Sequence, residues 1–224
     1  MLKKTDMNPQ KSTLYKYAEL LANCKRARLT GTRGADEIYN LQVLDCLESL
    51  KYLPESGQVI DVGTGGGLPG IVWAVYRPDL RVTLLDSINK KCEVVNEIID
   101  LLGLSNVKII CSRSEDFARV NRESFDLAGA KALASAGVTA ELLSPLVKVS
   151  GRVITFKGEK VHDEISEVND KWLRLGLSKP ELNFYGEENS SKCLVIWQKI
   201  KSCPKDFPRR TGLAGSNKAK RFWE

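Results

Sequence analysis

Apolar and polar residues alternate along this chain in two different rhythms. The first part carries two helical patterns, over about residues 11–26 and 36–51, and the second pattern places its apolar residues along one face. From residue 57 onward, short apolar runs alternate with amphipathic segments, which predicts repeated βα units around a parallel sheet. The predicted strands are QVIDVG, RVTLLD, VKIICS, FDLAGA, GRVITF and CLVIWQ, and the predicted helices are LPGIVWAVY, NKKCEVVNEIIDLLG, ASAGVTAELLSPLVK and VHDEISEVNDKWLRLG.

This alternation predicts an α/β fold with a mostly parallel, seven-stranded sheet that is covered by helices on both faces. The segment LNFYG lies shortly before the last strand, and the two are expected to close the sheet as an antiparallel hairpin. We expect three parts in the chain: an N-terminal helical segment over residues 1–52, a main domain over 53–198 and a basic C-terminal tail over 199–224.

Length and composition argue against several classes of protein. The chain has 224 residues, of which 42% are hydrophobic and 28% are charged, as is usual for a folded domain. No stretch approaches the roughly 18 consecutive apolar residues of a membrane-spanning helix. The start, MLKKTDMNPQKS, has basic residues but no apolar run after them, so it does not read as a secretory signal. We therefore expect a cytoplasmic protein that does not insert into membranes.

Cysteine and histidine are arranged in a way that argues against metal and nucleophilic chemistry. The six cysteines lie far apart without a C-x-x-C pair, and His162 is the only histidine. A zinc site and a Ser/His/Asp or Cys/His catalytic group are therefore not expected. The cysteines are expected to be reduced thiols, because they are too sparse for a disulfide scaffold.

Both ends of the chain are basic. Residues 1–30 have a formal net charge of +5 and residues 199–224 of +6, whereas the residues between them have −5. Phosphate backbones favour such segments through counterion release, and Phe207, Phe222 and Trp223 are candidates for stacking on bases. The distribution of charge therefore favours a nucleic acid as partner. A solvated tail that only aids solubility is the alternative.

The most informative motif is the glycine-rich string VIDVGTGGGLPG, which follows a predicted strand and opens a predicted helix. Its glycines let the backbone turn sharply and approach a nucleotide-like ligand where a Cβ atom would clash. As G-x-G-x-x-G from Gly65 to Gly70, with Asp86 further on, it matches the dinucleotide fingerprint. As D-x-G-x-G-x-G from Asp61, it places a carboxylate before the loop, which suits a cationic ligand such as S-adenosylmethionine.

Two further strand ends favour the second interpretation. Asp86 ends the second strand and is placed to accept both hydroxyl groups of a ribose, although NAD would require the same of it. Glu115 and Asp116 follow the third strand, where methyltransferases hold the adenine of S-adenosylmethionine. The loop and both acidic positions together favour a methyltransferase, and an NAD-dependent oxidoreductase is the remote alternative.

Over about residues 28–213 the chain resembles the bacterial RsmG (GidB) family of 16S ribosomal RNA guanine-N7 methyltransferases. The resemblance rests on the string GTGGGLPGI with the upstream Asp61, and on the later strings RPD, LLDS, FKG and PRR. The resemblance implies a class I, Rossmann-like methyltransferase fold with an N-terminal helical extension, and S-adenosylmethionine as the cofactor. Family contacts carry over to Gly63, Leu68, Ser114 and Glu115, and the family's S-R-A string falls on Lys131. The expected cofactor-binding residues are Asp61, Gly63, Gly65, Gly67, Leu68, Asp86, Ser114, Glu115 and Lys131.

The implied reaction makes few chemical demands on the protein. Guanine N7 has a free lone pair, so its methylation needs no general base and catalysis can rest on positioning the reactants. Lys131, the one candidate catalytic residue, ends the fourth strand and is expected to contact the cofactor carboxylate or a target phosphate. Lys157, Arg209 and Arg210 are expected to bind RNA. The expected partner is ribosomal RNA or the small ribosomal subunit, bound by a monomer without a metal ion.

Four positions depart from the family's pattern. Lys131 replaces an arginine and lacks its planar fork, and Arg28 stands where an asparagine is usual. In the family's H-x-x-D-S string, Gln42 stands in place of the histidine and Cys46 in place of the serine. These changes concern substrate choice and turnover more than cofactor binding. They leave open a catalytically weak or inert RNA-binding relative, and a methyltransferase that acts on another RNA or on a small molecule.

Overall fold

A seven-stranded sheet forms the centre of the protein in a computed structural model that describes residues 8–214. In chain order its strands are β1 (Gly57–Val62), β2 (Leu80–Asp86), β3 (Val107–Cys111), β4 (Phe125–Lys131), β5 (Val147–Lys157), β6 (Glu181–Phe184) and β7 (Cys193–Gln198). They lie in the order β3-β2-β1-β4-β5-β7-β6. The pairs are parallel except those of β7, which is antiparallel to both β5 and β6. The carboxyl ends of β1 to β5 therefore share one edge of the sheet.

Helices connect the strands, and the local sequence explains where the first of them begins. The first helix starts at Pro9, directly after Asn8, whose side chain accepts a hydrogen bond from Lys11 N at 2.9 Å as an N-cap. The helices are α1 (Pro9–Asn23), α2 (Ala35–Ile38), α3 (Gly70–Tyr76), α4 (Asn89–Leu102), α5 (Ser114–Val120), α6 (Ala136–Leu143) and α7 (Val161–Ser166), with short 3₁₀ segments at Ser144–Leu146 and Lys171–Leu175.

Alternate residues of the central strands face two separate apolar cores. On β1, Val59 packs in the core that α1, α3 and α4 cover, whereas Ile60 packs in the core that α5, α6 and α7 cover. On β2, Leu84 and Leu85 divide in the same way. Because these strands are buried on both faces, their sequences are near-continuous apolar runs, which is the pattern that predicts them. The predicted mostly parallel sheet with helices on both faces and a closing antiparallel hairpin is confirmed.

The second N-terminal helix differs from its prediction in type. After α2 the chain continues as a π-helical turn over Tyr39–Val43 and a 3₁₀ helix over Leu44–Tyr52. Side chains compete there for backbone carbonyl groups: Cys46 Sγ lies 3.1 Å from Gln42 O, and Ser49 Oγ donates to Cys46 O at 2.6 Å. The apolar spacing predicts the buried face but not this change of helix type.

Two other helices differ from the predictions. The segment predicted as one helix from Val161 onward is interrupted: α7 ends at Ser166. Asn169 and Asp170 adopt positive φ angles of 50° and 56°, which a continuous right-handed helix excludes. Helix α5 was not predicted from the pattern, since its seven residues are too few to show a helical period. The acidic residues in its first turn were the available signal.

Both ends of the described chain pack against the sheet domain. At the N-terminal end, Leu14 and Tyr17 of α1 are completely buried. At the C-terminal end, Cys203 and Phe207 are at most 5% exposed. Buried Phe207 is not placed to stack on bases, which corrects that expectation, and Phe222 and Trp223 lie outside the described residues. Within residues 8–214 the cysteines are free thiols, and no helix is both long and apolar enough to cross a bilayer.

Candidate functional site

The glycine-rich loop leaves the carboxyl end of β1 and folds back against β2. The amide groups of Gly63 and Thr64 both donate to Leu85 O, at 2.8 and 3.0 Å. Gly63 has a φ of 69°, and a Cβ atom there would lie 2.5 Å from Leu133 Cδ1. Only glycine combines this backbone conformation with so close an approach of Leu133. On its other side, the Tyr17 hydroxyl donates to Gly66 O at 2.8 Å and fixes the loop to α1.

Asp61 lies beneath this loop and is completely buried. Its Oδ2 atom accepts hydrogen bonds from Thr64 Oγ1 at 2.6 Å and from Gly70 N at 3.0 Å, which joins both ends of the loop. Its Oδ1 atom is buried without a hydrogen-bond partner in the described residues. Burial raises the pKa of Asp61 to about 7, although the two hydrogen bonds act in the opposite direction.

Asp86, at the end of β2, connects the loop to a cavity of about 350 Å³ at the carboxyl edge of the sheet. Its Oδ2 accepts from Gly65 N at 2.9 Å and its Oδ1 from Ile88 N at 3.0 Å. A carboxylate has about four acceptor sites, so both oxygens keep capacity for hydroxyl groups of a ligand. Ile88 is 49% exposed and presents an apolar side chain to the same cavity.

The opposite side of this cavity is formed by the start of α5 and by the C-terminal segment. Ser114 and Glu115 line the cavity, and Ser114 Oγ donates to Glu115 Oε2 at 3.2 Å. Glu115 Oε1 accepts from Gly212 N at 2.8 Å, so the C-terminal segment is attached at the rim. Gly212 and Ala214 belong to the lining itself. No local pattern predicts this contribution, because nearly a hundred residues separate Gly212 from Glu115.

The cavity brings together some of the predicted cofactor residues but not all of them. Gly63, Asp86, Ser114 and Glu115 line it. Among the others, Asp61 is buried beneath the loop, Leu68 is a buried residue of the loop itself, and Lys131 lies in a neighbouring cavity. The lining residues that sequence reasoning missed are Val62, Leu85, Ser87, Ile88, Lys91, Ser112, Arg113, Ala132, Leu133, Ala134, Val138, Leu142, Gly212 and Ala214. Gly65 and Gly67 shape the loop without lining the cavity.

A second cavity, of about 470 Å³, shares the wall formed by residues 132–134 with the first. Lys131 ends β4 directly before this wall and forms an ion pair with Asp45, which comes from the 3₁₀ helix Leu44–Tyr52. The Lys131 ammonium also lies 5.0 Å from the ring centroid of Phe156. Asp45 holds two further groups: the Tyr185 hydroxyl donates to its Oδ1 at 3.0 Å, and Lys192 Nζ lies 3.1 Å from the same atom.

The charges around Asp45 fix its protonation state. Burial by itself raises the pKa of the carboxyl, but the ammonium groups of Lys131 and Lys192 lower it further than burial raises it. Asp45 is therefore an anion at neutral pH. Burial and the Asp45 carboxylate both raise the pKa of Tyr185, so its hydroxyl stays protonated and keeps donating. The group carries two positive charges and one negative charge.

Lys157 has a structural task at this wall. Its side chain is 8% exposed, its ammonium donates to Ala134 O, and it lies 2.7 Å from Glu164 Oε2. The same Glu164 oxygen accepts from Ala136 N at 2.7 Å, at the start of α6. Lys157 and Glu164 thus hold the wall between the two cavities in place. This contact differs from the predicted RNA contact of Lys157, because most of the ammonium is turned inward.

Arg209 is likewise turned inward, whereas Arg210 is exposed. Arg209 donates to the fully buried Glu141 from Nε at 2.9 Å and from Nη2 at 2.6 Å, and its side chain is 17% exposed. The adjacent residue Arg210 lies on the surface. Of the two arginines predicted to bind RNA, the structure therefore leaves Arg210 available and engages Arg209 within the fold. The RNA contact of Arg210 stays a prediction.

The first cavity suits S-adenosylmethionine by the chemistry of its lining. Asp86 offers acceptors for ribose hydroxyls, and Glu115 is a further carboxylate beside the apolar Ile88. The volume lies within the range of small-molecule sites, roughly 300–1,000 Å³. Within residues 8–214 no group of three or more His, Cys, Asp or Glu side chains is placed to hold a metal ion.

Solved structures share the fold. One of them, an rRNA methylase from Streptococcus thermophilus, matches with a TM-score of 0.52 over 70% of this chain and 95% of its own, at 16% sequence identity. At this level of identity the likeness shows the fold alone. It agrees with the class I, Rossmann-like methyltransferase architecture that the resemblance implied.

Sequence comparisons give the family. The family model described as rRNA small subunit methyltransferase G matches residues 10–193. The protein named Ribosomal RNA small subunit methyltransferase G from Petrotoga mobilis is 35% identical over 95% of this chain and 96% of its own. The protein of the same name from Clostridium perfringens (strain 13 / Type A) is 40% identical over 91% of this chain and 87% of its own. The chain thus belongs to the rRNA small subunit methyltransferase G family, a family of methyltransferases that use S-adenosylmethionine.

Proposed function

We propose that this protein transfers a methyl group from S-adenosylmethionine to guanine N7 of small-subunit (16S) ribosomal RNA. The observation that carries the proposal is the pair of neighbouring cavities at the carboxyl edge of the sheet. One is lined by acceptors for an adenosine-like ligand, and the other by three lysines and two acidic residues. Residues 132–134 line both. Such an arrangement allows a donor and an anionic acceptor to meet where the two cavities adjoin. Membership in the family supplies the reaction.

In this proposal each part of the first cavity has a separate task. Asp86 accepts the ribose hydroxyls, and Ser114 and Glu115 contact the adenine. Gly63, Gly65 and Gly67 keep the loop close to the ligand, and Leu68 holds the loop on the core. S-adenosylmethionine, when bound, supplies an electrophilic methyl group on a sulfonium.

The protein need not remove a proton from the acceptor, because guanine N7 has a free lone pair. Its contribution is to hold the base in position and to exclude competing nucleophiles. Lys192, whose side chain is 49% exposed, gives the mouth of the second cavity a positive charge, which favours RNA over a neutral small molecule. Arg210 extends the positive surface at the C-terminal end. In this proposal the protein acts as a monomer in the cytoplasm, on ribosomal RNA or on the small ribosomal subunit, and needs no metal ion.

The proposal also keeps the division of the chain that the sequence suggests. Residues 1–52 support the glycine-rich loop through Tyr17 and the second cavity through Asp45. Residues 53–198 contain the sheet and both cavities, and residues 199–224 contribute the rim of the first cavity through Gly212. Each part therefore contributes to the site rather than acting alone.

Methyl transfer from tritiated S-adenosylmethionine tests the proposal. The substrates are 16S ribosomal RNA and small subunits from a bacterial strain whose own methyltransferase of this family is deleted. The methylated nucleotide is located by borohydride reduction and aniline cleavage, which break the chain at 7-methylguanine. We expect one methyl group per RNA with the wild type, at least tenfold slower transfer at low cofactor concentration with Asp86→Ala, and normal transfer with Asp100→Ala, an exposed acid on α4.

The result decides between the proposal and its alternatives. Methyl incorporation at a site that aniline does not cleave would overturn the guanine-N7 assignment. Cofactor binding without methyl transfer would support a catalytically inert RNA-binding relative. In that case Lys131→Arg, which restores the arginine of the family's pattern, should leave the protein inactive, whereas in a weak enzyme it should raise the rate.

A further inference from the structure

The second cavity is positioned to hold a base next to the cofactor cavity. Residues 132–134 line both cavities, and Lys131 is the residue directly before them. A purine whose N7 atom points toward the first cavity beside these residues also presents its six-position substituent there, because the two lie on the same edge of the base. The groups beside the wall therefore determine which purine is accepted.

Lys131 has donors available for such a base. An ammonium group has three N–H donors, and the described contacts of Lys131 use one of them, toward Asp45. Lys157, the other lysine at this wall, uses two, toward Ala134 O and Glu164. Phe156 also lines the cavity, and its ring lies beneath the Lys131 ammonium at 5.0 Å from the ring centroid.

Guanine and adenine differ at the position that this ammonium would meet. Guanine carries an acceptor, O6, beside N7, whereas adenine carries an N6 amino donor. We propose that Lys131 selects guanine in the second cavity by donating a hydrogen bond to O6. With adenine in the same place, two donors would face each other and the ammonium would lose its partner. This inference rests on the proposed function and names the group that specifies its target base.

Asp45 is the positioning residue in this proposal. It is 8% exposed in its side chain and is held from a second direction by the Tyr185 hydroxyl and by Lys192. An ammonium on a four-carbon stem has many rotamers, and pairing with a fixed carboxylate restricts it to one region of the cavity. The lysine thereby gains some of the orientation that the family's arginine has through its planar group.

The test compares two bases at the methylated position. Once the wild type has located its target guanine, small-subunit RNA is prepared by splinted ligation with guanine or with 2,6-diaminopurine there, and is assembled with small-subunit proteins if free RNA is not methylated. Diaminopurine keeps N7 and the two-amino group but carries an amino donor in place of O6. The rates at limiting RNA are measured for the wild type, Lys131→Met and Lys131→Arg.

We expect the wild type to prefer guanine by about 10- to 100-fold, which is the effect of one hydrogen bond to a charged group. Lys131→Met should lower the rate on guanine by that factor and leave the rate on diaminopurine within about twofold, so that the preference disappears. Lys131→Arg, which keeps donors at the position, should retain the preference. An equal loss of rate on both bases with Lys131→Met would overturn the proposal.

Two further measurements do not depend on turnover. The dissociation constant of S-adenosylmethionine, measured by calorimetry, should be the same for Lys131→Met and the wild type, and a tenfold increase would instead make Lys131 a cofactor ligand. The slope of log Kd for RNA against log salt concentration should also be unchanged, and a decrease of about 1 would make it a phosphate ligand. If the wild type methylates no guanine, the proposed function fails, which is a different result from loss of the base preference.

Discussion

The ion pair between Arg209 and Glu141 gives the sharpest prediction about the C-terminal segment. Glu141 on α6 is completely buried and accepts three hydrogen bonds from Arg209, from N at 3.2 Å, Nε at 2.9 Å and Nη2 at 2.6 Å. Arg209→Met removes two of these bonds and leaves a buried carboxyl group without a compensating charge. Breaking a buried pair in this way costs about 3–5 kcal/mol in the free energy of unfolding.

The expected loss is large enough for a simple measurement. For a chain of this length each kcal/mol changes the melting temperature by roughly 2–4 °C, so Arg209→Met should melt about 6–20 °C below the wild type by calorimetry or circular dichroism. Arg210→Met is the matched control, since it changes the adjacent, exposed residue. Its free energy of unfolding should stay within about 0.5 kcal/mol of the wild type.

A double variant separates the ion pair from general damage to the segment. Arg209→Met combined with Glu141→Leu removes both charges, so it should regain a large part of the lost stability. The RNA readout should show the reverse order: Arg210→Met lowers the salt slope of RNA binding by about 1, whereas Arg209→Met leaves it unchanged below its melting temperature. The reasoning would be refuted if Arg209→Met and Arg210→Met had equal stability and Arg209→Met alone weakened RNA binding.

Three further substitutions test other parts of the account. The pKa of Asp61 is about 7 in the folded protein and roughly 3.9 in the unfolded chain, so its contribution to the free energy of unfolding is present at low pH and is lost as the pH rises through 7. Asp61→Asn does not titrate, so between pH 5 and pH 8 its free energy of unfolding, measured in urea, should rise relative to that of the wild type by on the order of 3 kcal/mol. Parallel pH profiles of the two proteins would contradict this. A Cβ atom on Gly129 would lie 2.5 Å from Trp73 Cη2, so Gly129→Ala should cost about 1–3 kcal/mol in the same assay, against about 0.5 kcal/mol or less for Gly158→Ala, whose Cβ has open space. Tyr17→Phe removes the hydroxyl that holds the glycine-rich loop and should cost about 1 kcal/mol in unfolding free energy while weakening cofactor binding in calorimetry; unchanged values of both would show that this contact does not support the loop.

The fold could be predicted from the sequence because its signals are local. Each central strand is a short apolar run, and each of the longer helices has an apolar face, so the βα alternation is visible without knowledge of distant contacts. The predictions failed for segments in which side-chain hydrogen bonds or backbone angles override the helical period of apolar residues. Gln42 and Cys46 show the first case, and Asn169 and Asp170 show the second.

The site could be predicted only in part, because local sequence patterns do not show contacts between distant residues. Gly63 and Asp86 belong to a local motif, and both line the first cavity. The partners of the basic residues are different, because Lys131 meets Asp45 across 86 positions of the chain and Arg209 meets Glu141 across 68. A sequence shows that a residue is basic, but only the packed structure shows whether a buried acid is paired with it.

The binding of S-adenosylmethionine to the first cavity is the central claim, and isothermal titration calorimetry tests it most directly. The wild type, Asp86→Ala and Asp100→Ala are each titrated with S-adenosylmethionine and, separately, with NAD. The account predicts a dissociation constant on the order of micromolar for S-adenosylmethionine, a loss of at least about tenfold in Asp86→Ala only, and no binding of NAD. Binding of NAD, or S-adenosylmethionine binding that Asp86→Ala leaves unchanged, would contradict it.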